Sequence, residues 1–281
     1  MLSINTNSGA LLAANAAKAA AEMMDEAMTR LSTGKRLNTA ADDPAAMQVA
    51  IRMGAEINGL ERALKNANDG QAVVDTAEGA LKEVHTILLR MRELAVSGSS
   101  STHSDADRAA LDTEVTALET EITRLGAATT WGGINLLNGT YSSGTPITFH
   151  LGPRGSDKIT VTLGYVHATT AANAQGTLGL TGNVTSITNA SNYISVIDSA
   201  VSIISARRGA LGAVSNRLNS TISNLQNMKT NLQAAKGQVE DADFAAETAK
   251  LARAQILMQA ATAMLAQANA SKNQTLKLIT G

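Results

Sequence analysis

The chain has 281 residues, with 23 Lys and Arg against 24 Asp and Glu, and this balance without any basic run argues against a nucleic-acid interface. It has no Cys, which excludes a disulfide framework and a thiolate metal site. Aromatic residues make up only 2% of the chain. Because aromatic residues dominate compact cores and ligand pockets, we expect aliphatic helical seams instead.

The first predicted element is an Ala-rich helix over residues 3–31. Residues 1–20 lack the charged start and bulky apolar centre of a cleaved signal peptide, so we expect export, if it occurs, by another route. Gly34 predicts the helix stop, and Asp42 or Asp43 followed by Pro44 predicts a new start. The larger apolar side chains of this helix are Ile4, Leu11, Leu12, Met23, Met24, Met28 and Leu31.

Three further stretches carry apolar residues at spacings of three and four, which is typical of helices packed along a seam. The first runs from Ala45 to about Val96, and the third resumes near Ala190. Ser104 and Asp107 predict a capping box at the start of the second. Seam positions in the first two stretches are Val74, Ala77, Leu81, Val84, Leu88, Met91 and Ala95, then Leu111, Val115, Leu118, Ile122 and Leu125.

Residues 126–189 are rich in Gly, Thr, Ser and Asn, and they interrupt the helical pattern. Residues 147–151 and 158–163 alternate apolar and polar side chains on either side of a Gly-Pro-Arg-Gly-Ser-Asp turn. This pattern predicts a β-hairpin.

The last stretch, residues 243–278, predicts a helix that is apolar on all sides. Such a helix has to be buried all round, and at a chain terminus it needs partners. Lys250, Arg253 and several Gln interrupt it before a membrane-spanning length accumulates, so we predict no membrane insertion. We expect it to pair with the first helix and with other copies. Its bulkiest apolar residues are Leu251, Ile256, Leu257, Met258, Met264 and Leu265.

Together these elements predict a mainly α fold, a long coiled-coil-like rod or bundle with paired terminal helices and a small hairpin region mid-chain. We expect residues 1–42 and 243–281 to form a terminal helical domain, and 43–242 a rod domain with its hairpin at about 140–165.

We find no pattern that indicates catalysis, a cofactor or a metal. His85, His103, His150 and His167 share no metal-ligand spacing, and the glycines match no phosphate or dinucleotide fingerprint. Carboxylate pairs such as Glu119 with Glu121 are expected on solvated helix faces. The sequence therefore does not predict an enzyme.

Three stretches resemble the signatures of bacterial flagellin. They are LSTGKRLNTAADDPA at residues 31–45, VEDADFAAE at 239–247 and AQILMQAATAMLAQAN at 254–269. The loop WGGINLLNG at 131–139 also fits, with Trp where the family usually has Phe. The chain lacks a proline at 270–275 that many members carry, and it lacks the long variable insert, so the resemblance indicates a short form without outer domains.

This resemblance implies a structural subunit of the extracellular flagellar filament, in which the terminal helices form the inner tube. The implied partners are further copies of the chain and the flagellar export chaperone, junction and cap proteins. Head-to-tail contacts that do not close would generate the filament. The residues expected to carry self-assembly are Ile4, Leu11, Leu12, Met24, Met28, Leu31, Leu251, Ile256, Leu257, Met258, Met264 and Leu265.

Two other functions remain open from the sequence. A hook–filament junction protein would share the terminal helices, and a coiled-coil scaffold protein would share the seams. A scaffold protein would not need two terminal helices that are apolar all round.

Residues 89–96 resemble the flagellin segment bound by the flagellin-sensing Toll-like receptor of animals. The resemblance implies receptor contacts, although the same residues could instead pack against neighbouring subunits. The candidate contact residues are Arg90, Arg92, Glu93, Leu94 and Glu114.

Overall fold

The computed structural model describes residues 6–139, 145–152, 157–168 and 178–280, with side chains as far as residue 272. Its helices are α1 (Ser8–Thr33), α2 (Pro44–Gly98), α3 (Asp105–Ala128), α4 (Ile187–Glu240) and α5 (Phe244–Thr280). Its strands are β1 (Thr130–Trp131), β2 (Ile134–Asn135), β3 (Ile147–His150) and β4 (Lys158–Val161). The prediction of a mainly α fold with a small β region is confirmed.

Side-chain caps set the starts of these helices. The side-chain oxygen of Asn7 accepts a hydrogen bond from the Ala10 amide at 3.0 Å, so α1 begins at Ser8, five residues later than the pattern suggested. Asp43 caps α2, and Asp243 caps α5, each by accepting from two backbone amides. Ile4 lies outside the described residues.

The two predicted turns around α1 and α3 are confirmed. Gly34 ends α1 with a φ of 70°, a left-handed conformation that glycine adopts without strain. Ser104 and Asp107 form the capping box of α3, with the Asp107 amide donating to Ser104 Oγ at 3.2 Å and the Ser104 amide donating to Asp107 Oδ2 at 2.9 Å.

Two antiparallel hairpins occupy the middle of the chain. The predicted hairpin is confirmed as β3 and β4, with Ile147 opposite Val161 and His150 opposite Lys158. Residues 153–156 of its turn lie outside the described residues. The loop at 131–135 is also a hairpin, since Gly132 and Gly133 have φ of 55° and 82° and allow a two-residue turn.

The chain divides into two compact units. One comprises Met1–Ile57 with Thr230–Gly281, and the other comprises Asn58–Lys229. We call them the terminal unit and the central unit. The domain limits predicted at residues 42 and 243 refer to layers of an assembled filament and not to compact units of the monomer. They therefore stay a prediction.

The central unit has a continuous hydrophobic core. All seven predicted seam residues of α2 are at most 2% exposed. Tyr193, Ile197 and Ile204 of α4 complete this core. Irregular chain at 162–168 and 178–184 adds Leu163, Val166, Ala168, Leu178, Leu180 and Val184.

Candidate self-assembly surface

A thin alanine seam joins α1 and α5 in the terminal unit. Ala13, Ala20 and Ala27 of α1 are buried at seven-residue spacing, and so are Ala254 and Ala261 of α5. Methyl side chains let two helices approach closely along their length, but each contributes little buried area. The predicted pairing of the terminal helices is confirmed.

Polar contacts at both ends fix this pair as antiparallel. Asn7 Nδ2 donates to the Ala268 carbonyl at 3.2 Å near the start of α1. Near its end, Arg30 Nη1 lies 3.4 Å from Glu247 Oε1. These two pairs set the register of the alanines.

The connections that follow α1 and precede α5 are also paired. The Arg36 amide donates to the Glu240 carbonyl at 2.7 Å, and the Ala242 amide donates to the Gly34 carbonyl at 3.0 Å. Lys35 Nζ lies 2.5 Å from Glu240 Oε1. This hydrogen bond raises the pKa of Lys35 and lowers that of Glu240.

Large apolar side chains of the terminal unit remain exposed to solvent. Leu12 is 71% exposed and Ile256 is 66% exposed. The other predicted self-assembly residues that are exposed are Leu11, Met28, Leu257 and Met264. Those that are partly buried are Met24, Leu31, Leu251, Met258 and Leu265.

Three further exposed apolar residues of the terminal unit, Met23, Ile51 and Phe244, are not among the predicted self-assembly residues. Phe244 lies within the signature at 239–247. A large apolar residue directly after the capping Asp243 is the sequence feature that could have identified it. Ile51 lies near the start of α2, and no local sequence signal distinguishes it from the buried positions of that helix.

An apolar groove of about 610 Å³ lies between the start of α1 and the end of α5. Leu12 and Met264 stand on either side of it, and both are exposed. Its other lining residues are Gly9, Ala13, Ala16, Gln267, Ala268 and Ser271. The groove and the exposed side chains together form a surface that the described residues of the subunit leave open.

The candidate receptor residues of α2 take part in ion pairs. Arg90 donates from Nε and Nη2 to Glu114 Oε1 at 3.0 and 2.9 Å, and its Nη1 lies 3.2 Å from Glu93 Oε2. The hydrogen bond to Glu114 raises the pKa of Arg90. Arg92 Nε donates to Asp198 Oδ1 at 2.7 Å.

Leu94 has a different environment from the other receptor candidates. It is only 5% exposed and belongs to the hydrophobic core of the central unit. The exposed apolar side chain beside Arg90 is Leu89, at 43%. An apolar group that binds next to Arg90 would therefore contact the exposed Leu89 and not the buried Leu94.

Glu119 contradicts the expectation of a solvated carboxylate. It accepts a hydrogen bond from the hydroxyl of Tyr193, which is 1% exposed. Partial burial raises the pKa of Glu119 above its ordinary value, although the hydrogen bond from Tyr193 opposes this. Glu121 instead pairs with Arg124 at 2.6 Å.

Within the described residues, no group of three His, Asp or Glu side chains is placed to hold a metal ion. The helices described in the structure include none that is long and apolar enough to cross a membrane.

Two family models cover most of the chain. The bacterial flagellin N-terminal helical region matches residues 4–142, and the bacterial flagellin C-terminal helical region matches residues 194–279. These regions contain α1, α2 and α3 and most of α4 and α5. They therefore include every residue of the surface described above.

Full-length relatives agree with this match. The chain is 38% identical over 259 residues to a flagellin of Halalkalibacterium halodurans, covering 90% of this chain and 91% of the relative. It is 34% identical over 283 residues to a flagellar filament core protein of Brachyspira hyodysenteriae, covering 98% and 99%. The chain spans less than half the length of other relatives, such as polar flagellin F of Vibrio parahaemolyticus, where 162 aligned residues at 37% identity cover 58% of this chain and 42% of the relative.

A solved structure also shares this fold. The crystal structure of Bacillus cereus flagellin aligns with a TM-score of 0.50 and 27% identity, covering 61% of this chain and 94% of that one. With family models over both helical regions and relatives above 30% identity along almost the whole chain, this protein belongs to the bacterial flagellin family.

Proposed function

We propose that this chain is a structural subunit that self-assembles into the helical filament of the bacterial flagellum. The observation that carries the proposal is the uncovered apolar surface of α1 and α5, from Leu11 and Leu12 to Ile256 and Met264. Exposed apolar surface of this extent on a soluble protein marks an interaction site.

The free energy available from this surface is large enough for assembly. Covering one Leu, Ile or Met side chain contributes about 1.5–3 kcal/mol. Several such side chains per subunit can offset the loss of translational and rotational freedom, which costs roughly 4–15 kcal/mol. Contacts repeated head to tail without closing then extend the polymer.

In this proposal the layers of the filament follow the predicted domains. Residues 1–42 and 243–281 form the inner tube, and residues 43–242 surround it, with the hairpin region near 140–165 toward solvent. The filament is extracellular. The export chaperone, junction and cap proteins of the flagellum are the further partners that we propose.

A hook–filament junction protein is the competing function, and it is less favoured. The full-length relatives above are flagellins and filament core proteins. The two functions differ in the polymer that the purified chain forms. Only a filament subunit should assemble into filaments of indefinite length.

Sedimentation with electron microscopy tests the proposal. Purified subunit is brought to high salt or seeded with short filament fragments, and the pelleted fraction is measured against concentration. We expect long filaments above a critical concentration. Subunits that stay in the supernatant at every concentration and with every seed would contradict the proposal.

We also propose recognition by the animal flagellin-sensing Toll-like receptor, through Arg90, Arg92, Glu93, Leu94 and Glu114. The supporting observation is that Arg90 is half exposed and already shares its guanidinium with Glu114, which makes a preformed charged patch. Leu89 supplies the exposed apolar side chain next to it.

Receptor-reporter cells exposed to monomer test this second proposal. We expect a response to the wild type and loss of most of it with Arg90→Ala combined with Leu94→Ala. Because Leu94 is a core residue, Arg90→Ala with Leu89→Ala is the variant that leaves the core intact. Arg124→Ala, which removes a comparable exposed ion pair on α3, is the matched control. Equal signalling from all variants, or none from wild type, would reject the site.

A further inference from the structure

Sulfur in this chain is present only as methionine. The sequence has ten Met and no Cys. Thiols are the other side chains that a peroxide oxidises reversibly at sulfur. Without them, reversible oxidation at sulfur falls on the methionine thioethers alone.

The methionines differ widely in their access to solvent. Met264 of α5 is 63% exposed, which is the largest value among the methionines that the structure describes. Met28 follows at 51%, and Met23 and Met228 are each 43% exposed, whereas Met91 in the core of the central unit is at 0%. Because a helix encloses its own backbone, the exposed area of Met264 belongs mostly to its side chain. A peroxide dissolved in water can therefore reach the thioether of Met264.

Met264 also stands on the apolar groove between α1 and α5, across from Leu12. None of the residues that line this groove is ionisable. The Ser271 hydroxyl already donates to the Ala268 carbonyl at 2.9 Å, so the amide of Gln267 is the remaining side-chain donor in the lining. A new polar acceptor at Met264 would thus be poorly satisfied once the groove is covered, which opposes covering it.

We propose that Met264 is a redox-modification site that controls assembly. A peroxide oxidises Met264 of the free subunit to methionine sulfoxide, and the sulfoxide keeps that subunit out of the filament. Oxidation converts a flexible apolar side chain into a polar one and disrupts interfaces that contain it. The inference rests on the proposed self-assembly, because it requires that other copies cover the groove.

The chemical step needs only the thioether and hydrogen peroxide. The sulfur attacks one peroxide oxygen, so that an S–O bond forms and the O–O bond breaks. The sulfur loses two electrons to the peroxide, and the hydroxide that leaves takes the proton of the new S–OH group and becomes water. Methionine sulfoxide reductases reverse this oxidation, so the modification is reversible.

Oxidation of the purified monomer tests the proposal. Monomer is treated with hydrogen peroxide, which is then removed, and peptide mass spectrometry measures the sulfoxide at each methionine. We expect sulfoxide at Met264 and none at Met91. The critical concentration should rise at least about tenfold, because a covered apolar side chain is lost and a polar one replaces it. Treatment with methionine sulfoxide reductases should restore the original value.

Substitutions by leucine assign the effect to one methionine. Met264→Leu conserves volume, so the untreated variant should polymerise within about twofold of the wild type. After peroxide, its critical concentration should stay within about threefold of the untreated value. The matched control is Met228→Leu, which removes an exposed methionine of the central unit and should leave the full loss of assembly. Equal loss in Met264→Leu and Met228→Leu would overturn the assignment to Met264.

Substitution by glutamine tests the same site without an oxidant. Met264→Gln places a polar side chain of similar length on the groove, and it should raise the critical concentration at least about tenfold. Met228→Gln is its control and should stay within about twofold of the wild type. Normal assembly of Met264→Gln would contradict the proposal, because the groove would then accept a polar group.

The state of the protein during oxidation gives a further check. Filaments treated with the same peroxide should form sulfoxide at Met264 much more slowly than monomers do. Equal rates in the two states would show that assembly leaves this side chain open, and they would overturn the proposal.

Failure of this inference is distinguishable from failure of the proposed function. If untreated wild type does not polymerise, the proposed function fails and the inference fails with it. If untreated wild type polymerises and monomer carrying sulfoxide at Met264 polymerises equally well, only the inference about Met264 fails.

Discussion

The terminal and central units differ in how they use their apolar side chains. The central unit buries large ones inside the subunit, with Leu81, Leu88 and Ile122 at most 2% exposed. In the terminal unit, α1 and α5 bury alanines and leave Leu11, Leu12 and other large side chains in solvent, whereas the large buried residues of this unit, Leu37 and Ile57, lie outside these two helices. Internal packing therefore stabilises the central unit, whereas α1 and α5 keep several large apolar side chains exposed.

The largest expected effect comes from removing α5 by deleting residues 244–281. The deletion takes away the exposed side chains of Phe244, Ile256, Leu257 and Met264 and the partner of α1. We expect polymerisation to be abolished. The central unit should stay folded, because no described side chain of α5 belongs to its core. Sedimentation and circular dichroism measure the two effects, and filaments from the truncated chain would show that the two units do not divide these roles.

A charge on α5 should be nearly as damaging to assembly. Leu257→Asp or Leu265→Asp would bury an unpaired carboxylate in every subunit, at a cost of several kcal/mol per copy. Filaments should fail to form, while the circular dichroism of the monomer changes little.

The matched control for these variants is Ile187→Asp in the central unit. Ile187 has the same 43% exposure as Leu257 and lies in the first turn of α4, where Asp is tolerated. Normal filament yield and thermal stability from either α5 variant would count against burial of those residues.

Truncating one side chain in each unit sharpens the contrast. Ile122→Ala should lower the unfolding free energy by about 2–5 kcal/mol, because it leaves a cavity in the core. Leu12→Ala should change monomer stability by less than about 0.5 kcal/mol yet raise the critical concentration. Urea unfolding measures monomer stability, and sedimentation measures the critical concentration. If both variants lost the same monomer stability, the proposed difference between the two units would be contradicted.

The smallest expected effect is a pH dependence of the central unit at Glu119. Its pKa is raised above the ordinary 4.5 by desolvation first, with Asp112 adding to the rise and Tyr193 opposing it. Because the pKa of this carboxyl is higher in the folded than in the unfolded chain, its contribution to the unfolding free energy is complete below pH 4.5. That contribution is lost as the pH rises through the pKa of the folded state. Glu119→Gln should therefore flatten the decline in unfolding free energy across this range. An unchanged pH profile would show that Glu119 titrates as it does in the unfolded chain.

Helices and their ends could be predicted from the sequence because their signals are local. Gly34, Pro44 and the pair Ser104 with Asp107 act within one turn of their own backbone. The seam of α2 could be predicted for the same reason, because its period is visible in the sequence.

What could not be predicted depends on contacts between distant residues. Val166 is buried because Gly126 has no side chain, since a Cβ there would lie 2.0 Å from the Val166 carbonyl oxygen. Glu119 is half buried because Tyr193 packs against it from 74 residues away. The ion pair between Arg30 and Glu247 likewise joins residues that are 217 positions apart.

Amide hydrogen exchange of monomer and filament tests the central claim most directly. We expect the α2, α3 and α4 backbone of the central unit to be protected in both states. Residues 8–33 and 244–272 should exchange readily in the monomer and become protected only in the filament. Terminal helices that are as protected in the monomer as the central unit, or that stay unprotected in filaments, would contradict the account.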